Sequence, residues 1–344
     1  MSKDGAFHFP VFHRDHPCLD SSPAAAHAAS VSDAGTVIAD DKIHKGKYLM
    51  AISLGTPAVF NLVAIDTGST LSWVPCRRCQ IFCHHQVSEA GRIFDPENST
   101  TYRHIGCSNE GCIDLHHDNG VPYGCIEESD TCLYLVRYGS SQYSVGKLGT
   151  DRLALGDNYT VSGGFIFGCS EDDGFKGYEA GVIGFGNKTY SYFNHAEACH
   201  PVDPGVDPSS YTRQMMIVDS GTDETFLQPP ILYSFDDAMT AAMRDKGYSR
   251  GYDDDVEVCF KSASGGKVEW RDLRMVEMKF IRATMKLLPE NVFHQRSADQ
   301  ICLAFQPDTA GVQGVQILGN KALRSFRVVY DLQKMTIGFQ ARAC

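Results

Sequence analysis

The apolar residues of this chain fall into short runs of the length typical of β-strands, separated by glycine, serine and proline. In KYLMAISLGTPAVFNLVAID two runs flank a Gly-Thr-Pro turn, which predicts a hairpin. CLYLVRYGSSQYSVGKLGTDRLAL predicts two strands joined by a Gly/Ser-rich tip, and GGFIFGC and AGVIGFG predict short buried strands. Six further runs follow in the second half: VEVCFK, VEMKFI, ICLAFQ, VQILGN, FRVVYD and MTIGFQ. The pattern favours an all-β fold with few helices.

One segment has helical periodicity instead. PPILYSFDDAMTAAMRDKG starts with proline, ends at Gly247, and places Ile231, Phe235, Ala238 and Met239 at helical spacing. It predicts one amphipathic helix with these four residues on its buried face.

The chain has 344 residues, enough for two lobes. Residues 1–45 are rich in alanine, serine and histidine, which predicts a disordered segment. Residues 46–190 are interpreted as a first lobe, and residues 214–344 as a second. Residues 191–213, rich in proline and without periodicity, would connect them.

Two stretches read almost alike. VAIDTGSTLSWVP contains Asp66, and MIVDSGTDETFL contains Asp219, 153 positions later. Each is followed downstream by two aliphatic residues and a glycine, at 182–184 and at 317–319. A single Asp-x-Gly is usually an ordinary turn, but two copies with matching partners indicate duplicated lobes related by pseudo-two-fold symmetry.

Two aspartates donated by such equivalent turns can meet between the lobes. Held close together they cannot both ionise, so the pair shares one proton. The ionised member can take a proton from a water molecule while the protonated one donates to a substrate carbonyl, which hydrolyses a peptide bond without a metal or covalent intermediate.

The other residues of each repeat fit this chemistry. The residue after the aspartate can hydrogen-bond across the interface, the glycine permits a sharp turn, and the next hydroxyl can donate to the carboxylate. These supporting residues are Thr67, Gly68 and Ser69 in the first loop, and Ser220, Gly221 and Thr222 in the second.

Charge and hydropathy argue against some classes of function. The formal net charge is −11 and no basic stripe is present, which argues against a nucleic-acid partner. The chain contains no run of 18 apolar residues, so the sequence predicts no membrane span. The first 17 residues, MSKDGAFHFPVFHRDHP, lack the apolar core of a signal peptide.

Thirteen cysteines indicate an oxidising compartment and a disulfide framework. Three glycosylation sequons, at Asn98, Asn158 and Asn187, agree with secretion. In CRRCQIFCHH the three cysteines and two histidines could alternatively bind zinc. The competing interpretation is a disulfide-closed loop with exposed histidines, His84 and His85.

These motifs together resemble the pepsin-type aspartic peptidases, and in detail their nepenthesin-like plant subgroup. DTGSTLSWVPC and DSGTDETFL match the two catalytic motifs, and CLYLVRYGSSQYSVGKLGTDRLAL resembles the hairpin flap that covers substrate. The cysteine-rich stretch from 76 to 132 resembles the insert of the subgroup, FPVFHRDHP resembles part of a prosegment, and FIFGC, ICLAF, ILGN and VVYDLQKMTIGFQARAC match later landmarks.

The resemblance implies a bilobal pepsin-like fold and an aspartic endopeptidase that acts on polypeptides at acid pH. Asp66 and Asp219 would form the dyad, and Trp73 would donate a hydrogen bond to the flap tyrosine, Tyr138. It further implies a monomer without a cofactor or metal, made as a zymogen with residues 1–45 as prosegment, and located outside the cell or in the vacuole.

The resemblance also implies six disulfides. They would join Cys76 to Cys79, Cys83 to Cys169, Cys107 to Cys132, Cys112 to Cys125, Cys259 to Cys302, and Cys199 to Cys344. Cys18 would be left in the segment removed on maturation.

One stretch departs from the family pattern. Only 32 residues separate Gly186 from Asp219, too few for the strands that the family places there. Either the second lobe is rewired or the chain is a shortened form. Two alternatives stay open: a catalytically impaired relative that binds or inhibits peptides, because of this short stretch, and a zinc-stapled interaction module, because of CRRCQIFCHH.

Overall fold

The computed structural model describes residues 47–77, 79, 81–119, 123–139, 141–155, 159–186, 215–252, 258–263, 265–270, 273, 275–280, 284–308, 315–331 and 336–341. The chain divides into two compact units, residues 1–201 and 202–344. The predicted disordered segment, the predicted connection, Cys18, Cys199 and Cys344 lie outside the described residues. No described helix is long and apolar enough to cross a membrane.

The described strands of the first unit form a single sheet in the order β1-β2-β9-β3-β8-β7-β6-β5, and β4 pairs with β7. Their bounds are β1 Leu49–Leu54, β2 Val59–Asp66, β3 Trp73–Pro75, β4 Arg103–His104, β5 Tyr123–Ile126, β6 Thr131–Arg137, β7 Tyr143–Leu155, β8 Tyr159–Asp173 and β9 Val182–Gly184. One helix, α1, spans Glu110–Asn119, and 3₁₀ turns span Ser88–Ala90, Pro96–Asn98 and Glu127–Ser129.

The sheet curls because β1 pairs with β2 along its whole length and also with the far end of β7. The enclosed face holds the core of the unit, in which Leu62, Trp73 and Phe167 are at most 1% exposed. Alternating apolar residues along β1 and β7 supply this face, as strand periodicity requires.

The described strands of the second unit form smaller sheets: β10-β19-β11-β18, β12-β13-β17-β16, β14-β15 and β20-β21. Their bounds are β10 Met215–Val218, β11 Thr225–Leu227, β12 Tyr248–Tyr252, β13 Val258–Ser262, β14 Val276–Lys279, β15 Thr284–Leu287, β16 Phe293–Ser297, β17 Gln300–Leu303, β18 Phe305–Pro307, β19 Val315–Leu318, β20 Phe326–Asp331 and β21 Thr336–Ala341. The helices are α2 Pro229–Arg244, α3 Pro289–Val292 and α4 Asn320–Leu323.

The all-β prediction is confirmed, since strands dominate both units and the helices are few. The predicted helix exists as α2 and buries Met239 as predicted, but the other three predicted positions are not buried. The buried positions are Leu232, Asp236, Met239 and Met243. Ala238 is exposed, and Ile231 and Phe235 are half-buried. The Asp236 carboxylate lies on the buried face and accepts a charged hydrogen bond from Arg250, which apolar spacing cannot reveal.

The carried-over pairings of Cys76 and Cys83 are wrong. The structure joins Cys76 to Cys169 and Cys79 to Cys83. Because β3 runs parallel to β8, with Val74 opposite Cys169, the residue that follows β3 lies beside the middle of β8. The Cα atoms of Cys76 and Cys169 are 5.4 Å apart.

The pairings carried over to the insert are also wrong, since Cys107 is joined to Cys125 and Cys112 to Cys132. Cys112 and Cys132 are both fully buried, whereas Cys125 is exposed and Cys107 half-buried. Inward-facing sulfurs are therefore bonded to each other, and so are the outer ones. The fifth disulfide, Cys259 to Cys302, agrees with the pairing carried over and connects directly opposed residues of β13 and β17.

Candidate active site

Asp66 is the last residue of β2, an inner strand with β1 antiparallel on one side and β9 parallel on the other. The strand carries Leu62, Val63 and Ala64 into the core, so the aspartate emerges from a rigid element and is itself 6% exposed. Its carbonyl oxygen accepts a hydrogen bond of 2.7 Å from the Phe185 N–H. The strand pairing and the core packing together fix the position of the Asp66 backbone.

The loop after β2 turns back onto the carboxylate of Asp66. The Gly68 N–H donates to Oδ1 at 2.8 Å, and the Ser69 hydroxyl donates to Oδ2 at 2.5 Å. Each oxygen thus has one donor from the loop, which orients the group and stabilises its ionised form. The Ser69 hydroxyl donates to Asp66 as the sequence predicted, whereas the donor role of the Gly68 N–H was not predicted.

Asp219 is held in the same way within the second unit. It follows β10, and its N–H donates to the Leu318 carbonyl at 3.0 Å. The Gly221 N–H donates to Oδ1 at 2.8 Å, and the Thr222 hydroxyl donates to Oδ2 at 2.6 Å. The two loops therefore present equivalent carboxylates with matching donors.

The strands around the two loops correspond one for one. In the first unit β2 is parallel to β9, β9 is antiparallel to β3, and β3 is parallel to β8. In the second, β10 is parallel to β19, β19 is antiparallel to β11, and β11 is parallel to β18. The two repeated sequence motifs thus belong to a repeated arrangement of strands.

Two further hydroxyls were missed by the sequence analysis. Ser72 Oγ accepts the Gly184 N–H at 3.0 Å, and Thr225 Oγ1 accepts the Gly319 N–H at 3.2 Å. Each lies six positions after its aspartate. That shared spacing is the signal that identifies them: they attach the loop to the strand that carries the aliphatic-aliphatic-Gly motif.

The two glycines allow this close approach. A Cβ on Gly184 would lie 2.5 Å from the backbone of Thr70, and one on Gly319 would lie 2.0 Å from the carbonyl oxygen of Glu224. A side chain at either position would displace the loop that carries the carboxylate.

Trp73 and Tyr138 form the hydrogen bond that the resemblance implied, with 2.6 Å from the indole Nε1 to the phenol oxygen. Tyr138 follows β6, at the tip of the β6–β7 hairpin, where its N–H donates to the Gln142 carbonyl at 2.9 Å. Burial of the phenol and the nearby Asp66 carboxylate raise the pKa of Tyr138 well above its ordinary value. The phenol is therefore protonated at acid and neutral pH.

The zinc alternative requires free thiolates at Cys76, Cys79 and Cys83. The structure places all three in disulfides. Within the described part of the chain, no group of three or more histidine, cysteine, aspartate or glutamate side chains is arranged to hold a metal ion. His84, predicted to be exposed, is instead buried, because Asp173 and the Glu179 carbonyl satisfy its ring nitrogens.

The all-β fold and the matching aspartate loops in its two units define the class of pepsin-type aspartic peptidases. Residues 48–200 match the family model described as xylanase inhibitor N-terminal, and residues 198–341 match the model described as xylanase inhibitor C-terminal. The chain belongs to the pepsin-type aspartic peptidase family, in its nepenthesin-like plant subgroup.

Curated relatives carry matching names. A probable aspartic protease of Arabidopsis thaliana is 27% identical over 87% of this chain and 81% of its own length. Aspartic proteinase nepenthesin-1 of Nepenthes gracilis is 26% identical over 87% of this chain and 78% of its own length. Nepenthesin-2 of the same plant is 24% identical, with the same coverage.

Proposed function

We propose that this protein is an aspartic endopeptidase whose dyad is Asp66 and Asp219. The observation that carries the proposal is the pair of equivalent carboxylates, each with one backbone and one hydroxyl donor on its two oxygens. Such preorganised groups are suited to sharing a proton and activating a water molecule. The names of the curated relatives support the same reaction class.

In the proposed reaction, the ionised aspartate removes a proton from water while the protonated one donates to the peptide carbonyl oxygen. Thr67 and Ser220 would hydrogen-bond across the interface and keep the two loops aligned. Tyr138, protonated and anchored by Trp73, would close the hairpin over an extended polypeptide.

The disulfides also support a proposal for the compartment. The five that join described cysteines favour an oxidising location, outside the cell or in the vacuole. Asn98 is exposed and can carry a glycan there, whereas Asn158 and Asn187 lie outside the described residues. A zymogen form, with residues 1–45 removed on maturation, and a monomeric state remain expectations from the family.

Oxidised, matured protein is expected to cleave a denatured polypeptide at about pH 3 to 5 and to be blocked by a statine-type inhibitor. Activity should fall as the pH rises, because the dyad then loses its shared proton. The amount of peptide released, with and without inhibitor, measures this activity. Inactive but folded material, shown by a cooperative thermal transition, would contradict the proposal.

Replacing Thr222 with valine is expected to lower kcat by about ten- to a hundredfold, since a hydrogen bond to a charged group contributes about 1.5–3 kcal/mol. Valine keeps the shape of threonine but cannot donate to Asp219. Thr222→Ser restores the hydroxyl and serves as the matched control. Equal rates for the valine and serine variants would contradict a catalytic role for this donor.

A second candidate function is a peptide-binding or inhibitory protein. It is favoured by the description of both family models as xylanase inhibitor models and by the edge position of β10 in its described sheet. Ile217 on this strand is 43% exposed, while its counterpart Ala64 is 2% exposed. Tight binding of the statine-type inhibitor without turnover of any polypeptide would favour this alternative.

A further inference from the structure

The ring of Phe175 lies against both partners of the Trp73–Tyr138 hydrogen bond. Its centroid is 5.0 Å from that of Trp73 at an interplanar angle of 82°, and 5.7 Å from that of Tyr138 at 73°. Edge-to-face contacts of this kind favour one orientation of each ring. Phe175 is 8% exposed, so its position is set by neighbours and not by solvent.

Phe175 is in turn held by charged groups. The Lys47 ammonium lies 4.1 Å from its ring centroid, within cation–π range. Its backbone N–H donates to Asp173 Oδ1 at 3.2 Å. The same carboxylate oxygen accepts from the His84 backbone N–H at 3.2 Å, which attaches the cysteine-rich insert to the end of β8.

His84 occupies the centre of this cluster. Its Nδ1 is 2.7 Å from Asp173 Oδ1, and its Nε2 is 2.8 Å from the Glu179 carbonyl oxygen. Because both neighbours are acceptors, only the doubly protonated imidazolium can donate to both. The His84 ring also lies 5.7 Å from Phe175 and 6.1 Å from Trp73, centroid to centroid.

The charges of the cluster balance only when His84 is protonated. Lys47 pairs with Glu179 at 2.7 Å, and His84 pairs with Asp173. The side chains of both carboxylates are 0% exposed. Loss of the His84 proton would leave a buried negative charge without a counterion, which is costly in a low-dielectric interior.

Burial of the ring lowers the pKa of His84, but the hydrogen bond and charge of Asp173, with smaller contributions from Glu179, raise it above the ordinary value. A group whose folded-state pKa is raised contributes stability that is complete below its unfolded value and is lost as the pH rises through the folded one. The cluster is therefore intact at acid pH and weakens above about pH 6.5.

We propose that His84 is a positioning residue for the hairpin tip: as imidazolium it holds Asp173 and Phe175, and Phe175 holds Trp73 and Tyr138 in their hydrogen-bonded arrangement. This role rests on the proposed peptidase function insofar as Tyr138 covers substrate. It makes closure of the hairpin depend on acid pH separately from the aspartate pair.

A spectroscopic test does not require activity. The chain has two tryptophans, so Trp270→Phe leaves Trp73 as the single tryptophan, whose emission can be excited selectively over that of tyrosine. In this background, Trp73 emission is expected to change with an inflection above pH 6.5, and His84→Gln should abolish that inflection. His85→Gln, which alters the exposed neighbouring histidine, should keep it. An absent inflection in the Trp270→Phe protein, or an unchanged one in the His84→Gln variant, would overturn the proposal.

The kinetic test uses peptide hydrolysis at acid pH. His84→Gln is expected to lower kcat/KM about ten- to a hundredfold, whereas His85→Gln stays at the wild-type value. If His84→Gln does not fold, Phe175→Leu replaces it, with the same loss expected because leucine provides no ring edge. Wild-type kinetics in a folded variant would overturn the proposal. Wild-type protein that hydrolyses nothing contradicts the peptidase function alone, because the Trp73 titration still reports on positioning.

Discussion

Asp66→Asn is expected to lower kcat by about a thousandfold or more while the protein stays folded. Asparagine has the shape of aspartate, can still accept the Gly68 N–H, and can face the Ser69 hydroxyl with its amide. It cannot share an ionisable proton with Asp219, so the proposed activation of water fails. Initial rates on a polypeptide at acid pH, measured beside thermal unfolding, check this.

The matched control for this variant is Asp237→Asn. Asp237 is an exposed residue of α2, so its substitution makes the same change of charge away from both loops. It should keep wild-type rates. Comparable activity in the two variants would show that Asp66 does not take part in the reaction.

Gly319→Ala is expected to inactivate the protein and to lower its free energy of unfolding by about 1–3 kcal/mol, the usual cost of overpacking. The new Cβ would lie 2.0 Å from the Glu224 carbonyl oxygen and 2.9 Å from that of Asp223. Both are backbone atoms of the segment that follows Thr222, so the Asp219 loop must shift to admit the methyl group. Denaturant unfolding and peptide hydrolysis measure the two effects.

Gly251→Ala is the control in the same unit, because a Cβ there would meet no atom within 4 Å. It should change neither rate nor stability appreciably. A stable, active Gly319→Ala protein would mean that the β19 glycine is not needed to seat the aspartate loop.

The strands and both aspartate loops could be predicted because local sequence patterns determine them. Alternating apolar residues specify β1, β2, β6 and β7, and the repeated Asp-hydroxyl-Gly-hydroxyl motifs specify the turns. The positions of Ser72 and Thr225 could also have been identified from the sequence, since both residues lie six positions beyond an aspartate. They were missed because their partners, Gly184 and Gly319, are distant in sequence.

The disulfide pairing could not be predicted from the order of the cysteines along the chain. Pairing depends on which cysteines face inward, as Cys112 and Cys132 do, and on the strand neighbours that place Cys76 beside Cys169. The cluster around His84 is similarly long-range, because its partners Asp173 and Glu179 follow it by 89 and 95 residues. No local pattern brings these groups together.

The described strands beside the two aspartate loops differ between the units. Among the described strands, β10 lies at the edge of its sheet, whereas β2 is flanked by β1 and β9. The exposure of Ile217 agrees with this difference. The hydrogen bonds to the Asp219 carboxylate nevertheless match those to Asp66.

The distance between the Asp66 and Asp219 carboxylates, measured in a crystal structure with a bound statine-type inhibitor, tests the proposed dyad most directly. Our account predicts that the nearest oxygens lie about 3 Å apart, on either side of the inhibitor hydroxyl. Oxygens beyond the reach of any shared hydrogen bond, in protein that still binds the inhibitor, would contradict it.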